Sequence, residues 1–128
     1  MASYVVKAPP RPEGGEQLTF DEKSMWRGKR IRAGDQVFLF AAEHHGGRGL
    51  YARGVVIEAV RGAGSRVSLS VRRTGAAARP LGRAELRAFR GRPDGGPGTE
   101  LDHKLYEQAT NKIAGVSDAA VAFLEGFF

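Results

Sequence analysis

The sequence contains no cysteine. This absence excludes disulfide bonds, thiolate catalysis and zinc sites built on cysteine, and it leaves the redox compartment open. Long apolar runs are also missing, since no stretch approaches the roughly 20 residues that a membrane span requires. The first residues, MASYVVKAPP, lack the basic segment and long apolar stretch of a secretory signal. A cytoplasmic location is therefore expected by elimination, and no membrane partner is predicted.

Acidic residues are in the minority. Fourteen Asp and Glu stand against twenty Lys and Arg, which gives a formal net charge of +6 at pH 7. Fifteen of the twenty are arginine, the residue better suited to bidentate phosphate contacts and to stacking on bases. This charge allows a polyanionic partner. A GC-rich coding sequence would produce the same enrichment, so composition alone leaves both explanations open.

The length and the apolar content predict a single domain over residues 1–128. A chain of 128 residues with 41% hydrophobic residues is long enough to bury one core. Charged residues make up 27%, which is typical of a soluble globular protein. The composition does not indicate an oligomeric state.

Short apolar segments predict β-strands. In residues 36–42, Val37 and Leu39 alternate with Phe38 and Phe40, so both faces are apolar and the strand is expected to be covered on both sides. The other predicted strands are residues 4–6, 50–60 with a bulge or a close backbone approach at Gly54, 67–72 and 86–89.

Three segments predict helices. Residues 18–26 indicate a helical turn capped by Thr19 or Asp21. Asp102 is predicted to cap a helix over residues 103–110, with Leu101, Leu105 and Ala109 on one stripe. Ser117 is predicted to cap a second helix, and Asn111 and Lys112 are expected between the two. Strands followed by helices predict an α+β fold, a compact β-barrel closed at one end by helices.

Three segments resemble EVE and related PUA-like domains. They are MWRGKRIRAGDQVFLFAA, with a tryptophan ahead of a Gly-Asp turn and a strand, GLYARGVVIEAV, and LYEQATNKIAGVSDAAVAFLEGFF. The superfamily also includes YTH and ASCH domains. The resemblance implies a PUA-like mixed barrel or curved sheet of five to six strands, with flanking and C-terminal helices. It also implies nucleic-acid binding, often with a modified base held in a pocket of aromatic and polar groups.

This resemblance directs attention to the residues around the single tryptophan. A base is held by stacking on aromatic faces and by hydrogen bonds to its edge, while cations take the flanking phosphates. Trp26 is the predicted pocket wall, although single tryptophans in small domains are often core or lid residues. Phe38 or Phe40 and Tyr51 are candidate second walls, and His45 lies in a loop expected at a barrel rim. The predicted binding residues are Lys23, Ser24, Met25, Trp26, Arg27, Lys29, Arg30, Arg32, Phe40, Tyr51 and His45.

The sequence shows no constellation of catalytic residues. It contains no phosphate loop, no G-x-S-x-G elbow and no pair of histidines at metal-binding spacing, so no cofactor or metal is predicted. The main hypothesis is a module that binds DNA or RNA and catalyses no reaction. One alternative is a small metal-dependent hydrolase that uses Asp35, Glu43 and His44. Another is a protein-interaction subunit that docks through its apolar end, residues 123–128.

Overall fold

The computed structural model describes residues 2–11, 15–108 and 110–128. Within them, six strands close into a barrel in the order β1-β3-β4-β5-β2-β6. Two pairs, β1 with β3 and β2 with β6, are parallel, and the others are antiparallel. The strands are β1 (Ser3–Ala8), β2 (Gln17–Met25), β3 (Gln36–Ala41), β4 (Gly49–Arg61), β5 (Arg66–Ala76) and β6 (Lys112–Gly115). The predicted α+β barrel is confirmed.

Short helices cover one side of the barrel. They are α1 (Arg83–Leu86), α2 (Gly96–Asp102), which continues into a π-helical segment (His103–Glu107), and α3 (Asp118–Glu125). Single 3-10 turns lie at Gly28–Arg30, Glu43–His45 and Arg87–Phe89. None of the helices in the described residues is long and apolar enough to cross a membrane.

Strand β3 separates two apolar clusters, as its sequence predicts. Val37 and Leu39 point into the barrel, where they pack in one cluster with residues such as Ile113. Phe38 and Phe40 point outward, into a cluster that the helices cover. All four side chains are at most 1% exposed. The strand is therefore covered on both faces because helices close one side of the barrel.

The predicted bulge at Gly54 is confirmed. The register between β4 and β5 shifts between Arg53 and Gly54. A Cβ at Gly54 would lie 2.5 Å from the carbonyl oxygen of Arg72, so the two backbones approach more closely here than any other residue allows. The bulge bends the long hairpin of β4 and β5 as it follows the curvature of the barrel.

Two secondary-structure predictions are wrong. Residues 18–25 belong to strand β2 rather than to a helical turn, because Leu18 and Phe20 point inward while Thr19 and Asp21 face solvent along the pairing with β5. Residues 86–89 are helical rather than extended. There the Glu85 carboxylate accepts a hydrogen bond from the Gly82 N–H, at 2.7 Å, and this contact starts α1.

The predictions for the C-terminal segment are partly wrong. Asp102 does not cap a helix: it lies at the end of α2, fully buried, and accepts a hydrogen bond of 2.8 Å from Arg90 Nε. Lys112 opens strand β6 instead of linking two helices. Ser117 does cap α3, since its Oγ accepts from the Ala120 N–H at 3.1 Å. The prediction for Ala109 falls outside the described residues.

Candidate functional site

A tight turn after β2 sends two neighbouring side chains to different surfaces. Trp26 and Arg27 both have positive φ angles, 45° and 68°. The turn is pressed against β6: a Cβ at Gly28 would lie 2.1 Å from the carbonyl oxygen of Ile113, and the Gly115 N–H donates to the Trp26 carbonyl at 2.9 Å. As a result, Trp26 packs on the helix-covered side, whereas Arg27 lies at the rim of the barrel.

At this rim the structure has a cleft of about 740 Å³, which we call the cationic cleft. Its walls come from the start of β1, the segment between β2 and β3, the end of β4 and the segment that joins β6 to α3. The lining residues are Ala2, Ser3, Tyr4, Arg27, Lys29, Arg30, Arg32, Asp35, Arg61, Gly115, Val116 and Asp118. Five basic residues therefore face two carboxylates across one cleft.

The positive charge of the cationic cleft is not cancelled by ion pairs. Within the described part of the chain, none of its five basic residues pairs with a carboxylate. The buried Asp35 is engaged with main-chain groups instead, since its oxygens accept from the Ala2 N–H at 3.3 Å and the Arg32 N–H at 3.0 Å. Lys29 Nζ donates to the Gly64 carbonyl at 2.8 Å, which ties the tip of the β4–β5 hairpin to the cleft.

Tyr4 supplies the aromatic group of the cationic cleft. Its side chain is only 4% exposed and points into the barrel. Burial, together with the nearby Asp35 carboxylate, raises the pKa of the Tyr4 hydroxyl. The phenol is therefore neutral at physiological pH and is available as a hydrogen-bond donor or acceptor.

The cleft brings together part of the predicted site. Arg27, Lys29, Arg30 and Arg32 all line it. Sequence reasoning missed Tyr4, Asp118 and Arg61, which reach the same rim through closure of the barrel. For Arg61 the only sequence signal was its position at the end of a long apolar strand.

The other predicted site residues lie outside the cationic cleft. Ser24 is tied to the hairpin tip, since its N–H and its Oγ both lie 2.8 Å from the Ser65 carbonyl oxygen. Phe40 is buried beneath the helices, and Tyr51 packs against the barrel interior. His45 lies beyond the other end of β3, at the opposite rim. Lys23 and Met25 are half-buried in the last residues of β2.

Trp26 forms a separate aromatic patch on the helix side. Its half-buried ring meets the His103 ring edge-on, with 5.7 Å between the centroids. The ammonium groups of Lys104 and Lys112 each lie 5.9 Å from the centre of the indole. The π-helical segment therefore completes the surroundings of the strained turn, and π-helical segments are frequent at functional sites.

The residues of the hydrolase hypothesis lie far apart. Asp35 lines the cationic cleft, whereas Glu43 and His44 lie at the opposite rim, beyond the end of β3. Glu43 Oε2 accepts from the Arg83 N–H at 2.8 Å and from the Tyr106 hydroxyl at 3.2 Å. Among the described residues no three His, Asp or Glu side chains come together in a group that could hold a metal ion.

The C-terminal phenylalanines fold back onto the barrel. The Phe128 ring packs against that of Phe38 at 5.9 Å, and the guanidinium of Arg53 lies 4.9 Å from the centre of the Phe128 ring. The Ala78 N–H donates to the Phe127 carbonyl at 2.7 Å. The segment that the interaction hypothesis assigns to a partner therefore contacts its own chain.

Comparison with known proteins gives structural matches only. No known protein-family profile and no curated protein sequence matches the chain. The structure of human THYN1 in complex with DNA that contains 5-methylcytosine matches with a TM-score of 0.71 at 11% identity, covering 98% of this chain and 96% of that one. The DUF55 domain of human thymocyte nuclear protein 1 matches with a TM-score of 0.70 at 11% identity, over 98% and 97% of the two chains.

A bacterial structure has the same fold. A protein of Rhodopseudomonas palustris matches with a TM-score of 0.65 at 15% identity, and the match covers 99% of this chain and 92% of that one. These likenesses span nearly the whole of each chain, at identities where fold alone is shared. The predicted fold, a mixed barrel with flanking and C-terminal helices, is therefore shared by these proteins.

Proposed function

We propose that this protein binds nucleic acid through the cationic cleft, recognises a modified base there, and catalyses no reaction. The observation that carries the proposal is the convergence of five basic residues, unpaired with carboxylates among the described residues, on one cleft of about 740 Å³. That volume lies within the range of small-molecule pockets, roughly 300–1,000 Å³, and so accommodates a nucleoside. A DNA complex of human THYN1, which shares the fold, supports the same class of ligand.

The basic residues would bind the phosphate backbone. Arg27, Arg30 and Arg32 are exposed, and arginine offers a planar pair of donors to a phosphate. Arg61 and Lys29 are anchored by hydrogen bonds to the Ile31 and Gly64 carbonyls, so they add positive charge at fixed positions. Contacts of this kind determine affinity and orientation rather than sequence preference.

The polar floor of the cleft would read the edge of a base. Asp118, at the first turn of α3, is exposed to the cleft, and a carboxylate accepts from the amino group of a cytosine. The Tyr4 hydroxyl lies beside Asp35 at the same floor. A flipped base would thus meet carboxylate acceptors and one aromatic group in the cleft.

A second binding geometry places the base on the Trp26 patch. One observation favours it: the indole is held by a turn with two successive positive φ angles and is not fully buried. Non-glycine residues with such angles cluster at binding sites. In this geometry Trp26 and His103 would form the stacking surface, and the cationic cleft would hold the flanking phosphates.

Binding to matched oligonucleotides tests the proposal. Fluorescence anisotropy would compare DNA and RNA strands that carry cytosine or 5-methylcytosine in the same sequence. The double variant Arg27→Gln/Arg30→Gln should weaken binding to every strand and lower the slope of log K against log salt by about 1.4–1.8, because each lost phosphate contact contributes roughly 0.7–0.9.

The control is Arg72→Gln/Arg92→Gln, which removes the same charge from exposed positions outside the cleft. Equal losses in both double variants would reduce the proposal to nonspecific attraction by the net charge. No measurable binding by the unmodified protein would refute it.

A further inference from the structure

A second cleft opens at the opposite rim of the barrel. It has a volume of about 520 Å³ and lies between residues 43–48 and residues 80–87. Three arginines line it, Arg48, Arg83 and Arg87. Strand β3 runs from the cationic cleft at Asp35 to this cleft at Glu43, so the two clefts lie at the two ends of the barrel. We call it the distal cleft.

The carboxylates of the distal cleft hold the backbone rather than neutralise the arginines. Glu43 accepts from the Arg83 N–H at 2.8 Å, and Glu85 accepts from the Gly82 N–H at 2.7 Å. In the described residues, Arg48, Arg83 and Arg87 form no ion pair with any carboxylate. The cleft therefore presents three guanidinium groups to an anion from outside the protein, with a formal net charge of +1 once Glu43 and Glu85 are counted.

The frame that carries these arginines is rigid. Gly49 has a φ of 84°, and a Cβ there would lie 2.4 Å from the Leu81 carbonyl oxygen. The next residue, Leu50, donates its N–H to that same carbonyl at 2.8 Å. A Cβ at Gly82 would lie 2.5 Å from Glu43 Oε2. Two chain segments that touch this closely fix the backbone positions of Arg48 and Arg83 relative to each other.

The helix side of the barrel connects the two clefts. Helix α3 starts at Asp118, which lines the cationic cleft. Just after the helix ends, the Gly126 carbonyl accepts a hydrogen bond from Arg79. Arg79 immediately precedes Pro80, which lines the distal cleft. Arg79 also lies over the Phe127 ring, 4.7 Å from its centre. A further positive charge therefore stands close to the distal cleft on this side.

On the basis of the proposed function, we propose that the distal cleft binds backbone phosphates of the same nucleic acid that occupies the cationic cleft. Strand β1 covers the distance between the two rims with six residues, which corresponds to roughly 20 Å. At about 3.4 Å per nucleotide, a nucleic-acid strand outside the barrel therefore needs at least roughly six nucleotides to cover that distance. The ligand then runs from rim to rim along the helix side.

The test measures affinity against oligonucleotide length. Single strands of four to sixteen nucleotides would be titrated into the wild-type protein and into the triple variant Arg48→Gln/Arg83→Gln/Arg87→Gln. The wild-type affinity should rise steeply once strands exceed roughly six to eight nucleotides, and the triple variant should bind long strands about tenfold or more weakly. Four-nucleotide strands should bind both proteins within about twofold, since they reach only one cleft.

A matched control is Arg72→Gln/Arg73→Gln/Arg92→Gln, which removes the same charge outside both clefts. If the wild-type protein binds but the triple variant shows the same length dependence, the rim-to-rim arrangement is wrong while the proposed function stands. If the triple variant loses the same affinity for short strands as for long ones, the rim-to-rim arrangement is also wrong. If the wild-type protein binds no strand at all, the proposed function itself fails.

A second measurement does not depend on the variant. A twelve-nucleotide strand with a photoreactive group at each end would be cross-linked to the wild-type protein, and the attached peptides identified. One end should attach to residues 27–32 and the other to residues 80–87. Attachment of both ends near the cationic cleft would contradict the proposal. So would displacement of the strand from the distal cleft by inorganic pyrophosphate if strand length had no effect on binding.

Discussion

Lys7 and Lys112 face each other across the β1–β6 ladder, and both side chains are fully buried. Lys7 Nζ donates to the Leu105 carbonyl at 2.6 Å, and Lys112 Nζ donates to the carbonyls of Lys104 and Gln108. The two ammonium groups thus bind carbonyls at the end of the π-helical segment, where cations are favourable. Burial lowers the pKa of each to about 8.

These two lysines predict an unusual dependence of stability on pH. Between about pH 8 and 10.5 the unfolded chain keeps both protons while the folded protein releases them, so the free energy of unfolding rises with pH by up to about 1.4 kcal/mol per unit for each lysine. Burial also raises the pKa of Tyr4, Tyr51 and Tyr106, so these phenols keep their protons to higher pH in the folded protein than in the unfolded chain. Above about pH 10 they ionise more readily in the unfolded chain than in the folded protein, and stability falls again. Urea unfolding from pH 7 to 11 should show a maximum near pH 10.

The variant Lys112→Met separates the lysine contribution from the rest. Methionine has a similar length and no charge, so the rise between pH 8 and 10 should fall to about half. A flat profile in the wild-type protein, or an unchanged slope in Lys112→Met, would show that the buried ammonium groups do not control alkaline stability.

A second prediction concerns the turn that positions Arg27. Gly28→Ala should destabilise the protein by about 3 kcal/mol or more, because the new Cβ would lie 2.1 Å from a main-chain oxygen of β6 that is fixed in the barrel. Thermal unfolding measures this loss directly. Gly15→Ala is the control, since no atom lies within 4 Å of a Cβ at that position, and its melting temperature should not fall. A mild effect at Gly28 would mean that the turn shifts freely against β6.

A third prediction contrasts a buried and an exposed ion pair. Asp102 is fully buried and pairs with Arg90 at 2.8 Å, whereas Arg92 and Asp94 pair at 3.5 Å on the surface. Arg90→Ala leaves a buried carboxylate without its partner and should lower the free energy of unfolding clearly more than Arg92→Ala does. Arg92→Ala should change the free energy of unfolding by less than about 0.5 kcal/mol. Chemical denaturation of the two variants gives the comparison, and similar losses would contradict it.

The sequence predicts structural features that depend on neighbouring residues. It does not predict features that depend on contacts between segments distant in sequence. The apolar alternation of residues 37–41, the glycine bulge at Gly54 and the cap at Ser117 are local, and all three are confirmed. Residues 18–25 were misassigned because Thr19 and Asp21 are helix-capping residue types, while the pairing with β5 that makes them a strand is distant in sequence.

The same distinction between local features and contacts distant in sequence applies to the candidate site. Arg27, Lys29, Arg30 and Arg32 are close in sequence, and they share one cleft. Tyr4 and Arg61 join them only because the barrel closes. No pattern of residue types indicated that positive φ angles would send Trp26 and Arg27 to different surfaces.

This divergence gives the last prediction, which separates the two base-binding geometries. If the base enters the cationic cleft, Asp118→Asn should change the affinity ratio of strands that carry 5-methylcytosine to otherwise identical strands that carry thymine at least about fivefold, since the contact to the amino group that thymine lacks contributes about 1–3 kcal/mol of discrimination. Trp26→Ala should then leave that ratio unchanged, because the indole lies outside the cleft lining. If the base stacks on Trp26 instead, Trp26→Ala should weaken the binding of both strands by about 1–3 kcal/mol, and Asp118→Asn should leave the ratio unchanged. Anisotropy titrations of both variants at one salt concentration decide between the geometries. We expect the ratio to depend on Asp118, because that carboxylate opens into a cleft of nucleoside size, whereas the indole edge is already in contact with His103.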